Sequence, residues 1–413
     1  MLVVDFEVPE STPDYLDFAP IAKRSTQLEE VSVHQRGLFE CYNAVAATEK
    51  LMPYLGPQHE VGLHVALLQF YVQHMGVIVT KVHRAWSWRQ SSWLKPYVEG
   101  ISAKRAASDD AVLKQTLKDT MNSLFGKTLE NKEGYQNINV YVDHDKFIRA
   151  HCQPLAEDWD IFDDSPSAGF LGIVKTAKTN VCLDTPRLVG FSILYLAKLL
   201  MYRAHYLVMK PRYSPRLRLL MMDTDSFIYH LETEDAIADM RTMNTDYCKY
   251  RNPLRFDLSK RDPSCPHKGE PGALKCEPGL ATVQEYVGLQ AKMYSLHLYT
   301  GDVESEESKA KGLSKRALYA IQGEKERKLH HDLYRRVLYG GLESSASYVA
   351  IRSKRQRLQH VEQSKKGLSC YNDKVYQLNT SFARPLGHWR NLRTDGSDSV
   401  GGMMEGICDG VIP

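Results

Sequence analysis

The chain has 413 residues, which allows two or three domains and a sizeable core. Apolar residues make up 43% and charged residues 25%, and the formal charge of +3 is too small to argue nucleic-acid binding by itself. No apolar run reaches the length of a membrane span, and the opening MLVVDFEVPE lacks the basic start of a signal peptide, so an intracellular protein is expected.

Residues 1–40 read as extended and loop-rich, with Pro9, Pro13 and Pro20. Apolar periodicity predicts a helix over Val61 to His74 that ends at Gly76, then a strand over Val77 to Trp88. A helix follows from about Ser92 to Ala106. Ser108-Asp109-Asp110 offers a turn and N-cap for a second helix to about Leu124. There Leu113, Leu117, Met121 and Leu124 form an apolar stripe, with Lys114 and Lys118 on a neighbouring face. Residues 134–188 are mixed, and 190–209 form a strongly apolar helix that Pro211 to Pro215 interrupts. Residues 251–282 read as loop with short strands, Val283 to Tyr299 as strand, and most of the remainder to about Gly387 as helix. The tail from Thr394 reads as loose. Basic clusters at Lys309 to Arg316, Lys325 to Lys328 and Arg352 to Arg357 fit either a polyanion partner or a solvated helix face.

Eight scattered cysteines with no CxxC pair fit reduced thiols. Cys265, His267 and Cys276 can be drawn as three zinc ligands, but their spacing fits no regular finger and no fourth ligand is apparent.

Three short constellations carry chemistry. In LLMMDTDSFIYH, Leu219 to His230, two apolar runs flank Asp223 and Asp225, which reads as a β-hairpin with acids at its tip. Residues i and i+2 of a strand share a face, although a tight turn can separate them. Two close carboxylates repel unless a proton or cation lies between them, and Mg²⁺ takes one or two carboxylates plus substrate phosphates. An ordinary polar turn would also place Asp and Thr there. In KDTMNSLFGK, Lys118 to Lys127, a cation and the amide Asn122 lie near one helix edge, with Phe125 and Gly126 a turn on. Lys118 can meet a triphosphate, Phe125 can pack on a base or sugar, and Gly126 lets a backbone approach. An amphipathic helix closed by a glycine cap is the plainer alternative. Lys292 and Tyr294, at i and i+2 of a predicted strand, can share a face that follows a nucleic-acid backbone.

In this order the three resemble family B DNA polymerases. Asp223-Thr224-Asp225-Ser226 is similar to their motif C, Lys118 to Gly126 to motif B with Phe125 where many members carry Tyr, and Lys292-x-Tyr294 to the KxY motif. The likeness is greatest to the protein-primed branch carried by adenoviruses, linear plasmids and Maverick/Polinton transposons. Further stretches carry it: Val4 to Pro9, Lys81 to Arg84, Lys127 to Asn131, Lys309 to Gly312, and Leu368 to Tyr376.

The resemblance implies an α+β right-hand polymerase, with an antiparallel palm sheet, helical fingers and a mostly helical thumb, lacking an N-terminal exonuclease domain and the motif A strand. The expected divisions are 1–88 as the remainder of the N-terminal palm with an insertion, 89–133 as fingers, 134–300 as palm with motif C, 301–393 as thumb and 394–413 as a loose tail. Asp225 would be the principal ligand of two Mg²⁺ ions, with Mn²⁺ as a substitute, and Asp223 a secondary one. Arg105, Lys118, Asn122 and Phe125 would bind the incoming nucleotide. Gly126, Thr224, Lys292, Tyr294 and Lys311 would contact primer–template DNA, and a terminal protein could supply the primer.

Such enzymes need a third carboxylate, in a D-x-x-S/N-L-Y pattern. Asp17 lacks the following Ser-Leu-Tyr, and Asp5 is followed by Glu7 and Pro9. The expectation is a chain that begins just after that motif, a truncated polymerase with impaired or no activity alone. The alternative is a DNA-binding remnant without catalysis. Asp5-Phe6-Glu7 also resembles the D-x-E start of a 3′–5′ exonuclease, but too few residues precede motif B to hold that domain.

Overall fold

The computed structural model describes residues 1–9, 18–25, 31–41, 49–165, 169–250, 254–270, 272–313, 317–318, 321, 329–340, 345–354, 357–372, 374–379 and 383–392. Asp17, the ends of the basic runs at Arg316 and Lys325 to Lys328, the side chains of 352–357 and the tail from Thr394 lie outside them.

The chain is a mixed α+β protein built on small, mostly antiparallel sheets. It divides into two compact units, one of Met1–Trp88, Leu196–Ser345 and Lys366–Pro413, the other of Arg89–Tyr195 and Ala346–Lys365. The expected fingers, 89–133, thus share a unit with residues 134–195. Among the described residues no helix is long and apolar enough to cross a membrane.

In the first unit, strand Leu2–Glu7 lies between Gln58–Leu63 and Ile78–Ala85, all antiparallel. Alternation buries Val4 and Phe6 and turns Asp5 to the other face. Helix Val65–Met75 buries Leu67, Leu68, Phe70, Tyr71 and Met75 and closes at Gly76. The predicted apolar helix is present as Arg187–Arg203, whose residues from Leu196 belong to this unit, followed by a π-helical turn, Ala204–Met209, and a short helix, Lys210–Tyr213. Pro211 stands second in that last helix instead of breaking the pattern, because a first-turn position needs no N–H donor.

Strands Leu217–Asp223 and Ser226–Leu231 form the predicted hairpin, a two-stranded sheet. Strands Thr282–Gln290, Met293–Thr300 and Val303–Ala310 form an antiparallel meander. Its inner face, with Val287 and Met293, packs on Tyr334 and Val337 of helix His331–Gly340 and on Leu368 and Cys370.

Among its described residues the region after Gly301 is not mostly helical. Its described elements are chiefly strands, Val303–Ala310, Ser345–Lys354, Arg357–Lys366, Tyr376–Gln377 and Ala383–Arg384, with helices at His331–Gly340 and Trp389–Leu392. VESEESKA has helix-forming composition, but Gly301 at φ 61° folds a two-residue loop that pairs Val303 with Thr300. A left-handed residue at that point turns the chain back on itself, and tertiary pairing overrides propensity.

In the second unit, helices Lys95–Ala107 and Ala111–Thr128 are consecutive, and Asp110 caps the latter by accepting from Val112 N at 2.8 Å. Strands Gln136–Tyr141, Gly169–Ala177 and Ala156–Ser165 form a sheet in that order, packed on Phe147 of helix His144–His151.

Candidate functional site: a carboxylate hairpin beside a lysine turn

The carboxylate hairpin forms because alternate apolar residues have a core to meet. Leu217, Phe227, Tyr229 and Leu231 pack on a buried cluster that includes Met209, Tyr213, Met243 and Phe256. The register shifts between Ile228 and Tyr229, leaving Leu220 as the extra, exposed residue. The loop is two residues long, Thr224 and Asp225, between the paired Asp223 and Ser226. Asp225 N donates to Asp223 O at 2.6 Å and Ser226 Oγ donates to the same oxygen at 3.2 Å. Thr224 sits at φ 59°, an unfavourable conformation for a β-branched residue. This loop leaves Asp223 half-buried and Thr224 and Asp225 exposed.

An aromatic block backs the hairpin. His205, on the π-helical turn, bonds Tyr229 OH through Nδ1 at 3.0 Å, and the two rings are nearly parallel. Phe18 stacks on Tyr202 and contacts His205, Tyr206 and Phe227. The backbone beside Phe18 is held by three phenols. Phe18 N donates to Tyr206 OH, Tyr202 OH donates to Ala19 O, and Tyr71 OH donates to Pro20 O. Lys198 Nζ also donates to Pro20 O at 2.7 Å and lies over the Tyr71 and Tyr202 rings. Removal from water pushes its pKa down to about 8.

The second hairpin brings its own tip to Asp223. Lys292 Nζ lies 3.0 Å from Asp223 Oδ1. Lys292 does not share a strand face with Tyr294, as its i, i+2 spacing had suggested. It occupies the two-residue loop between Gln290 and Met293 at φ 62°, which takes it out of the alternation. Lys311 N donates to Lys292 O at 3.1 Å, so Lys311 enters the same corner.

Tyr294, opposite Gly288 and Lys309, points away from the buried face. Tyr286 covers Gly288 so closely that a Cβ there would come within 2.3 Å of its hydroxyl, and its ring centroid is 5.9 Å from that of Tyr294. Burial, then Tyr294, pushes the Tyr286 phenol up to about 12. Burial, then the Asp223 charge, raises Tyr294. Tyr286 and Lys309 thus lie with Tyr294 on one face. Only the register, with Gly288 facing Tyr294 and Tyr294 facing Lys309, reveals that they share a face.

Asp223 is neutralised by Lys292 and accepts from Thr224 Oγ1 at 3.3 Å. Among the described residues Asp225 forms no ion pair, and neither do Lys309, Lys311, Arg105 or Lys118. Asp223, half-buried and held by Lys292, and Asp225, exposed in the turn, each offer hard carboxylate oxygens of the kind Mg²⁺ takes, the remainder of a shell coming from water and phosphate. Among the described residues no three His, Cys, Asp or Glu side chains are grouped to hold a metal. Two of the three residues that could be zinc ligands are engaged otherwise: Cys265 Sγ accepts from Leu258 N at 3.3 Å and His267 Nδ1 bonds Glu270 Oε2 at 2.5 Å. Asp5 is likewise engaged. Its Oδ1 accepts from Glu60 N and meets His83 Nε2, both at 2.7 Å, and the Glu60 amide above all lowers its pKa.

The second unit carries the other predicted residues. Arg105 and Asn122 are exposed, as is Lys118, and Phe125 is half-buried. Gly126 is interior to a helix that runs to Thr128, so it is not a cap. A Cβ at Gly126 would meet nothing within 4 Å, so the chain's own packing does not require glycine there.

These features define a mixed α+β protein with a carboxylate-tipped hairpin ion-paired to a lysine turn, and a helix pair that displays cations and a glycine. No protein family, curated protein or solved structure in the comparisons matches the chain.

Proposed function

We propose that the chain is the palm, fingers and thumb portion of a protein-primed DNA-directed DNA polymerase of family B. Its substrates are primer–template DNA and deoxynucleoside triphosphates. The observation that carries this reading is the meeting of two motifs far apart in sequence, through Lys292 Nζ and Asp223 Oδ1. Nothing in the local sequence of either requires that contact, and a polymerase active site does require acids, cations and an aromatic face together.

Asp225 and Asp223 are the metal-facing acids, and bound Mg²⁺ would neutralise charge on the reacting phosphates. Tyr294, Lys309 and Lys311 hold the duplex by its backbone and sugars. Arg105 and Lys118 grip the triphosphate of the nucleotide, and Asn122 and Phe125 line its pocket.

A DNA-binding role without catalysis is the second reading. It is favoured by the pairing of Asp223 with Lys292 and by the absence of a third grouped carboxylate among the described residues. Primer extension with Mg²⁺ or Mn²⁺ separates the two. Incorporation lost in Asp225→Ala supports the polymerase. Salt-dependent duplex binding without Asp225-dependent incorporation supports the second reading. A folded chain that binds neither duplex nor nucleotide sinks both.

A further inference from the structure

The Lys292–Asp223 ion pair occupies groups that two different ligands need. Asp223 is half-buried, and one of its two carboxylate oxygens is taken by the ammonium. A divalent cation binding beside Asp225 has to compete with that ammonium for Asp223, because two cations at one carboxylate repel. A polyanion approaching the lysine turn competes for the same ammonium from the other side. Lys292 is 45% exposed and carried at a hairpin tip, so its flexible stem can swing without repacking a core.

From this geometry we infer that Lys292 is a latch, holding Asp223 in the free protein and releasing it to a divalent cation when duplex DNA draws the ammonium away. The inference rests on the polymerase reading of these acids and adds a regulation of that site. Thermodynamic reciprocity then makes DNA and metal bind with positive cooperativity. The neighbouring groups fit the exchange. Lys309 and Lys311 are exposed and without ion pairs among the described residues, so a phosphate backbone meets them first and is guided to Lys292. Thr224 Oγ1 remains on Asp223 after Lys292 leaves, which keeps the carboxylate oriented.

The test measures Mn²⁺ binding to the full chain by electron paramagnetic resonance of free Mn²⁺, with and without a primer–template duplex. Asp225→Asn serves as the control for metal held by DNA or elsewhere. In the wild-type chain the duplex is expected to tighten the Asp225-dependent site about tenfold, a typical coupling between sites. Lys292→Gln is expected to bind Mn²⁺ about as tightly without DNA as the wild type does with it, and to gain nothing further from DNA. Lys292→Gly, which suits the left-handed backbone at that position, repeats the measurement should the Gln variant fail to fold. An Asp225-dependent site whose affinity is the same in wild type and both variants overturns the latch and leaves the polymerase reading standing. No Asp225-dependent Mn²⁺ binding in any of them overturns both.

Discussion

Lys292 Nζ and Asp223 Oδ1 are 3.0 Å apart, at the tips of two hairpins that each carry a non-glycine residue at positive φ. Thr224 at φ 59° and Lys292 at φ 62° occupy costly backbone conformations on either side of one ion pair. The pair itself adds little to stability, about 0–1 kcal/mol at this exposure. A tight fold of both loops therefore serves placement of charge more than stability.

The corner formed by Lys292 and Lys311, with Lys309 beside Tyr294, predicts a particular salt response. Lys309→Gln and Lys311→Gln should each weaken duplex binding about equally for all sequences and reduce the slope of log affinity against log salt by about one. Fluorescence anisotropy over a salt series measures both. An unchanged slope in both variants would remove this face from the DNA-binding surface.

Gly126 predicts a trade between stability and function. It lies within helix Ala111–Thr128, where glycine costs about 0.5–1 kcal/mol relative to alanine, and its surroundings have room for a methyl group. Gly126→Ala should raise thermal stability by about that amount and weaken nucleotide or duplex binding. A variant that is more stable and binds both as before would return Gly126 to the ordinary amphipathic-helix reading.

Lys198 predicts a pH effect. Its pKa of about 8 lies below the ordinary lysine value, so between these values the unfolded chain holds a proton that the folded chain has released. Stability therefore rises with pH through that window. Lys198→Met should remove this rise and stabilise the protein at neutral pH by on the order of 1–3 kcal/mol, since Pro20 O keeps the Tyr71 hydroxyl. Denaturant midpoints at pH 7 and pH 10 decide it, and a Met variant less stable at both would mean that the contact with Pro20 outweighs desolvation.

Tyr286 predicts the opposite slope at higher pH. Its phenol stays protonated in the folded chain up to about 12, while an unfolded tyrosine ionises near 10. Its contribution is complete below the lower value and is lost as pH rises through the upper one. Tyr286→Phe should flatten that loss and delete one late-titrating group from the tyrosinate absorbance curve. Loss of a group that titrates near 10 instead would place Tyr286 in water.

Much of the local structure was legible in the sequence because it is set by short-range chemistry. Alternating apolar residues around Asp-Thr-Asp-Ser specified the carboxylate hairpin, and Asp110 before a 3.6-residue apolar stripe specified the start of the second helix of the pair. The apolar run at 190–209 specified a helix but not the π-helical turn that lets His205 reach Tyr229. The described residues after Gly301 are strand-rich where composition suggests helix, because charged helix-forming residues also suit an exposed edge strand once a glycine turn supplies a partner.

The sequence by itself determined the chemical inventory: two acids one residue apart, a lysine and tyrosine two apart, and a helix bearing Lys118, Asn122 and Gly126. Only the tertiary structure decided that Lys292 neutralises Asp223 while Asp225 stays unpaired among the described residues, that Lys292 lies in a turn, and that Tyr286 and Lys309 join Tyr294 on one face. Such facts depend on strand register and on which hairpins share a core. Those are settled by packing between segments distant in the chain, which no local pattern of residues encodes.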